Sequence, residues 1–250
     1  MNKKELMLFL CGIVIGAGTL GVLWSASSKP VAAVSFAEPA ALPPAPAVVP
    51  AAANQDLVLP DLEESELFTL MMSSKPDAHS STYQIAKGDT LTGIAKKYGT
   101  TKELIQEINK INPDKIIPGK KLKVPTFKFS VIVDKSLNRL ILKGDELALK
   151  TYIVSTGTNN STPVGTFKIT DKIVNPTWYT ASTAVAPGSP ENVLGTRWMG
   201  FTLKSYGIHG TTEPDKLGQQ VTAGCVRMKN SDVEELYKII PPGTEVTIID

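Results

Sequence analysis

The spacing of apolar and polar residues changes character three times along these 250 residues, and each change marks a different kind of segment. Leu6 to Trp24 carry no charged side chain. That run exceeds the roughly 7 to 15 residues of a signal-peptide core and approaches the ~20 that cross a bilayer as a helix. Lys3 and Lys4 precede it, which predicts a cytoplasmic N-terminus and export of the remainder. The length favours an uncleaved anchor over residues 1–24, while Ser25, Ala26 and Ser27 leave peptidase cleavage open. Gly12 and Gly16 have the GxxxG spacing of paired membrane helices, although glycine is common in such spans in any case. From Ser25 to about Pro60, Ala, Pro, Val and Ser dominate, with prolines at 30, 39, 43, 44, 46, 50 and 60. Such a composition holds no packed core and predicts a semi-rigid extended spacer. Residues 25–81 read as linker throughout, interrupted by a short helix within Asp61 to Met72, with His79 as a solvated polar residue.

The second pattern occupies residues 82–126. Tyr83, Gln84 and Ile85 alternate as a strand does, and Gly88, Asp89 and Thr90 supply a turn and an N-cap. Leu91, Ile94, Ala95 and Tyr98 then fall on one helical face, which Gly99 stops. Thr101 caps a second helix whose apolar stripe is Leu104, Ile105 and Ile108, ended by Asn112-Pro113. Pro118-Gly119 turns the chain into a last strand, Lys121 to Val124. The expected fold is a small βααβ unit.

The third pattern, residues 127–250, is one of short β-branched or alternating runs: Ser130 to Val133, Arg139 to Leu142, Leu147 to Ser155, Gly165 to Thr170 and Val246 to Ile249. One helix is predicted, Ser231 to Ile239, capped by Asn230 or Ser231, with Val233, Leu236, Tyr237 and Ile240 facing inward. The fold class is therefore mainly β, a sandwich or partly closed barrel carrying one helix, preceded by the βααβ unit and the N-terminal membrane segment.

Charge narrows the function classes. The formal net charge is only +2, but residues 82–126 hold 9 basic against 4 acidic groups, whereas 127–250 hold 13 against 12. The basic residues of the middle segment are all lysines, spread along it without arginine, which predicts a solvated face and no nucleic-acid partner. The two cysteines are Cys11, inside the apolar run, and Cys225, which has no disulfide partner in the exported part. An unpaired thiol in an oxidising compartment is a liability unless it is buried or has chemistry to perform.

Within residues 127–250 one histidine and one cysteine occur, in the glycine-flanked, turn-like stretches Ile208-His209-Gly210-Thr211 and Thr222-Ala223-Gly224-Cys225-Val226-Arg227-Met228. A thiol of ordinary pKa near ~8.5 is mostly protonated at neutral pH and needs an imidazole or a cation to become a nucleophile. His209 offers the first and Arg227 the second, while Gly224 leaves room for backbone N–H groups to meet an oxyanion. The plain alternative is a structural cysteine beside a satisfied histidine. One cysteine and one histidine are too few for a zinc site, so no metal and no cofactor are expected.

Two resemblances attach to these residues. YQIAKGDTLTGIAKKYGTT with LIQEIN and IIPGKKLKVP resembles the LysM domain along its whole length. The resemblance implies binding to N-acetylglucosamine-containing glycan in a groove between Gly88, Asp89, Thr90 and Leu91 and the loop from Asn109 to Pro118. His209-Gly210-Thr211 followed by Thr222-x-Gly224-Cys225-x-Arg227-Met228 resembles the signature of the L,D-transpeptidase (YkuD) catalytic domain. Thr162 to Phe167 and Asn192 to Trp198 are similar to that family as well.

The resemblance implies a Cys225 thioester formed on a peptidoglycan stem peptide with loss of the terminal D-alanine, then aminolysis by a second stem to give a 3-to-3 cross-link. It implies His209 as base and acid, its other nitrogen held by a carbonyl such as that of Gly210, and Gly224 and Cys225 as oxyanion donors. Thr222 and Met228 are expected at the substrate, and a carbapenem-type β-lactam is expected to acylate Cys225. Arg227 is left with three roles: holding the thiolate, ordering the loop or meeting a substrate carboxylate. Ala223 stands where several family members have a second histidine, which leaves all acid–base work to His209. Two other readings stay open: an L,D-carboxypeptidase or amidase of the same fold, and a non-catalytic peptidoglycan-binding protein. A papain-like protease is disfavoured because its cysteine motif is missing. The expected location is the cell envelope, on the exported side of the cytoplasmic membrane.

Overall fold

A computed structural model describes residues 34–35, 65–111, 115–180 and 182–250. The apolar run Leu6 to Trp24, Cys11 and nearly all of the proline-rich stretch lie outside the described residues, and no helix among the described residues is long and apolar enough to cross a membrane. In chain order the elements are β1 (Val34–Ser35), α1 (Glu66–Met72), β2 (Ser80–Gln84), α2 (Leu91–Tyr98), α3 (Lys102–Asn109), β3 (Lys121–Pro125), β4 (Phe129–Asp134), β5 (Arg139–Gly144), β6 (Leu147–Gly157) and β7 (Gly165–Val174). They continue as β8 (Trp178–Tyr179), β9 (Ala184–Val185), β10 (Arg197–Phe201), β11 (Gly207–His209), β12 (Gln220–Thr222), β13 (Val226–Met228), α4 (Asn230–Ile239) and β14 (Glu245–Ile249).

The βααβ unit forms as its pattern predicts. Thr90 caps α2 by accepting from the Gly93 N–H, Gly99 ends it at φ 66°, and Thr101 caps α3 by accepting from Leu104. β2 and β3 pair antiparallel, and Ile85, Leu91, Ile94, Ile105, Leu122 and Val124 fill the small core between sheet and helices.

In the larger domain the strands follow the order β12-β6-β13-β11-β10-β7-β14-β4-β5, and a further β5–β6 pairing closes the ring into a barrel. Closure removes the exposed sheet edges that an open sandwich would leave. β6 makes it possible: its first half pairs with β5 and its second with β13. α4 lies against the barrel, burying Val233, Leu236 and Ile239.

The structure departs from expectation at two places. Segment 65–81 was expected as linker with one short helix within Asp61 to Met72; that helix forms as α1, and the segment is packed against the core. α1 is capped by Ser65 and buries Phe68 and Met71 in the barrel's core cluster, which also takes Leu104 and Ile108 from α3. Buried Lys123 points its Nζ at the last turn of α1, donating to Leu70 O (2.8 Å), Met71 O (3.2 Å) and Ser73 O (2.9 Å) while pairing with Asp77 (2.6 Å). A cation at a helix C-terminus satisfies orphan carbonyls and the helix dipole together. His79 is half-buried and stacks on Phe127 at 4.7 Å. Secondly, α4 takes Lys229 as its N-cap, without a side-chain bond, and the Asn230 side chain is engaged elsewhere.

Phe68→Ala is expected to destabilise the full chain by about 3–5 kcal/mol, the range for emptying a large aromatic site in a packed core. Urea denaturation checks this; a change smaller than about 1 kcal/mol, typical of a surface position, would mean that α1 is not part of the cooperative fold.

Candidate active site

β11 and β13 run side by side in parallel, pairing Ile208 with Val226 and His209 with Arg227. Residues two apart on a strand share a face. His209 and Arg227, in register, thus share the face opposite Ile208 and Val226, and Cys225 lies in the bend that leads into β13, two residues before Arg227. Sequence reading took both stretches for turns. Strands of three residues are too short to show an alternation, and only the turn before Cys225 is irregular.

That turn is held by Thr222, whose hydroxyl donates to Cys225 O (2.7 Å) and accepts from the Gly224 N–H (3.1 Å). Gly224 is required: its φ is 124°, and a Cβ would stand 2.7 Å from the Tyr206 ring. The Gly224 N–H, expected as an oxyanion donor, is taken up by Thr222. Met228 is fully buried in the barrel core, so it makes core packing where substrate contact was expected.

His209 is 4% exposed. Its Nδ1 lies 2.7 Å from Gly210 O. A carbonyl can only accept, so Nδ1 bears the proton and Nε2 is the nitrogen able to take another. Trp198, its antiparallel partner on β10, stacks near the ring at 6.1 Å. Burial pushes the imidazole pKa down to about 4; the Arg227 charge acts in the same direction, and the backbone groups of Gly210 and Val193 oppose it.

The Cys225 thiol donates to Ser205 O at 3.6 Å. Burial pushes its pKa up to about 12, against the lowering effects of a bond to the Gly207 backbone and of Arg227. The resting pair is thus neutral thiol and neutral imidazole. Arg227 disfavours imidazolium and favours thiolate at once. Its Nη1 bonds Glu213 Oε2 at 3.1 Å, and its Nε is buried without a hydrogen-bond partner among the described residues. Glu213 also binds Lys216 at 2.6 Å, and this lysine most strongly holds the carboxyl below its usual range. Nothing in the pattern of residues pointed to Glu213.

Asn192 is 1% exposed and stitches the loop over residues 176–194, its Nδ2 donating to Pro176 O (2.9 Å), Val185 O (3.3 Å) and Ala186 O (3.1 Å). An open cleft of about 510 Å³ adjoins this region, lined by Pro190, Thr211, Thr212, Pro214 and the first residues of α4. Among the described residues no group of three or more His, Cys, Asp or Glu side chains is arranged to hold a metal.

In the βααβ unit the expected glycan residues have structural duties. Asp89 Oδ2 accepts from Tyr83 OH (2.8 Å) and Ala86 N (2.7 Å), and these bonds, the Ala86 N–H first, hold its carboxyl below the usual range. Thr90 is the α2 cap and Leu91 is core. Asn109 ties α3 to β3 through Lys123 N and O, both at 2.8 Å. Gly88, exposed at φ 93° with open space beside it, is left on the surface of the turn.

An oriented imidazole and a thiol that both feel the Arg227 charge are groups capable of acyl transfer. Residues 128–248 match the family model of the L,D-transpeptidase catalytic domain, YkuD, and residues 83–125 match the LysM domain. The putative L,D-transpeptidase YqjB of Bacillus subtilis (strain 168) is 43% identical over 126 residues, which cover 48% of this chain and 70% of that protein. The putative L,D-transpeptidase YkuD of the same strain is 32% identical over 174 residues, covering 67% of this chain and 98% of its own length. Among solved structures, an L,D-transpeptidase from Mycobacterium smegmatis is 17% identical with a TM-score of 0.43, over 54% of this chain and 65% of that one. The chain belongs to the L,D-transpeptidase (YkuD) family and carries a LysM domain.

The thiol is expected to be un-ionised at pH 7. Its alkylation by iodoacetamide should rise about tenfold per pH unit to beyond pH 10, following the thiolate fraction below its pKa; a plateau below pH 8 would show a thiolate–imidazolium pair instead. The depressed histidine has a second consequence. Between 6.5 and about 4 the unfolded chain takes up a proton that folded His209 refuses, so stability falls as pH drops through that window. His209→Gln should flatten that part of the acid limb in urea titrations.

Proposed function

We propose that this protein is a peptidoglycan L,D-transpeptidase that forms 3-to-3 cross-links through a Cys225 thioester. The observation that supports the reading is the Nδ1-protonated imidazole of His209 in register with Arg227 across β11 and β13, with Cys225 in the bend that leads into β13. Because the resting pair is neutral, proton transfer accompanies attack and does not precede it. Sγ adds to the carbonyl of the third stem residue as its proton passes to His209 Nε2. The tetrahedral oxyanion is met by the Cys225 N–H and by the field of Arg227. Collapse breaks the peptide bond, and the imidazolium gives its proton to the departing D-alanine amine. The side-chain amine of a second stem then attacks the thioester, loses its proton to His209 and restores the thiol.

The LysM domain supports wall binding, and we place its glycan contact at the exposed turn around Gly88. Export and membrane anchoring through Leu6 to Trp24 are part of the same proposal, supported by the length of that run and its flanking lysines. A carbapenem, whose strained lactam carbonyl suits a thiol nucleophile, is proposed to acylate Cys225.

Incubation of the full-length protein with a disaccharide-tetrapeptide bearing a diamino acid at position three is expected to give a cross-linked dimer lacking one D-alanine by mass spectrometry. Monomeric tripeptide alone would make it a carboxypeptidase, and unchanged substrate a binding protein. Cys225→Ala should abolish turnover and the carbapenem adduct while keeping the fold; surviving turnover in that variant would sink the mechanism.

A further inference from the structure

We infer that Asn230 is a positioning residue for His209, fixing the peptide plane that selects the imidazole tautomer; this rests on the reading of His209 as the base. The Gly210–Thr211 peptide has two polar ends. Its carbonyl, Gly210 O, is 2.7 Å from His209 Nδ1, and its N–H, on Thr211, donates to Asn230 Oδ1 at 3.0 Å. The peptide is planar and rigid, so holding the N–H fixes where the carbonyl points. Bonds at both ends of one amide also polarise it cooperatively, strengthening the acceptor that faces the imidazole.

Asn230 makes two more bonds. Oδ1 also accepts from Thr196 N at 3.2 Å, and Nδ2 donates to Thr211 O at 2.8 Å. One side chain thus ties the loop before β10 to the loop after β11. Two glycines permit the approach: a Cβ on Gly210 would stand 2.1 Å, and one on Gly195 2.3 Å, from Asn230 Oδ1. Asn230 itself opens α4, whose Val233, Leu236 and Ile239 are fully buried. The chain of support runs from core to helix, to amide, to peptide, to imidazole. A helix-capping asparagine would direct its oxygen at its own helix, and this one does not.

The test uses the full-length protein, with His209→Ala assigning the His209 signals against those of His79. In wild type, ¹⁵N-histidine NMR should show His209 protonated at Nδ1 alone. Asn230→Ala is expected to mix the tautomers and lower kcat about 10- to 100-fold with KM nearly unchanged, as misplacement of a reacting group does. Asn230→Asp keeps the acceptor for Thr211 N–H, so it should retain the Nδ1–H tautomer and recover much of the lost rate. A single Nδ1–H tautomer and wild-type kcat in Asn230→Ala would overturn the inference. So would equal losses in both variants that track a lowered Tm. Where Asn230→Ala fails to fold, the tautomer in Asn230→Asp decides, and its loss overturns the inference. Turnover surviving in His209→Ala would instead overturn the reading of His209 as base, leaving the NMR result to judge the geometry alone.

Discussion

Because β11 and β13 pair in parallel with Ile208 opposite Val226, a slip of one residue would turn His209 to the face opposite Arg227. The register is held on both flanks. β11 is bounded by β10, where Trp198 lies opposite His209, and β13 by the long β6. Ile208, Val226 and Met228 point the other way, into the barrel core, at no measurable exposure. The alternation that buries these three is the same alternation that presents His209 and Arg227, so core packing and the placing of these two side chains are one constraint. Closure of the barrel through β5 and β6 leaves neither strand free to slide.

Burial then sets the electrostatics. Burial disfavours charge on both groups, which drives the imidazole pKa to about 4 and that of the thiol to about 12. An un-ionised thiol is a weak nucleophile. On the proposed mechanism, reactivity comes with substrate, when attack and proton transfer are coupled. The Arg227 charge lowers the cost of negative charge on the Cys225 sulfur. Its own charge is offset by Glu213, on a loop that Lys216 also restrains.

The mainly β fold and the βααβ unit could be read from the sequence, and Cys225 and His209 could be picked from it as candidates. Each is signalled locally: by alternation, by caps such as Thr90 and Thr101, and by two reactive residues flanked by glycine. What escaped is non-local. β11 and β13 are defined only by neighbours far along the chain, and Glu213 acquires meaning only where its loop meets Arg227. Asn230 was noticed as a cap because an asparagine before an amphipathic run suggests one; its bonds to Thr196 and Thr211 span 34 and 19 residues. Met228 and Leu91 sit in recognisable motifs for packing reasons, so motif membership alone did not tell ligand contact from core.

The linker reading failed for an instructive reason. The short helix within Asp61 to Met72 was legible, but not its packing: Phe68 and Met71 find their apolar partners on α3 and in the barrel, and Lys123 of β3 supplies the bonds that end the helix. Leu104 and Ile108 belong to the barrel's core cluster, while Ile105, between them on the same helix, belongs to the LysM core. α3 is consequently shared, and its apolar stripe is wide because it serves two cores. A tethered module raises local concentration through a flexible link whose entropy dilutes the gain. Here α1 and α3 remove that freedom, so a glycan strand held by the LysM domain would reach the active site at a set distance and direction, with no linker conformations to be lost on binding.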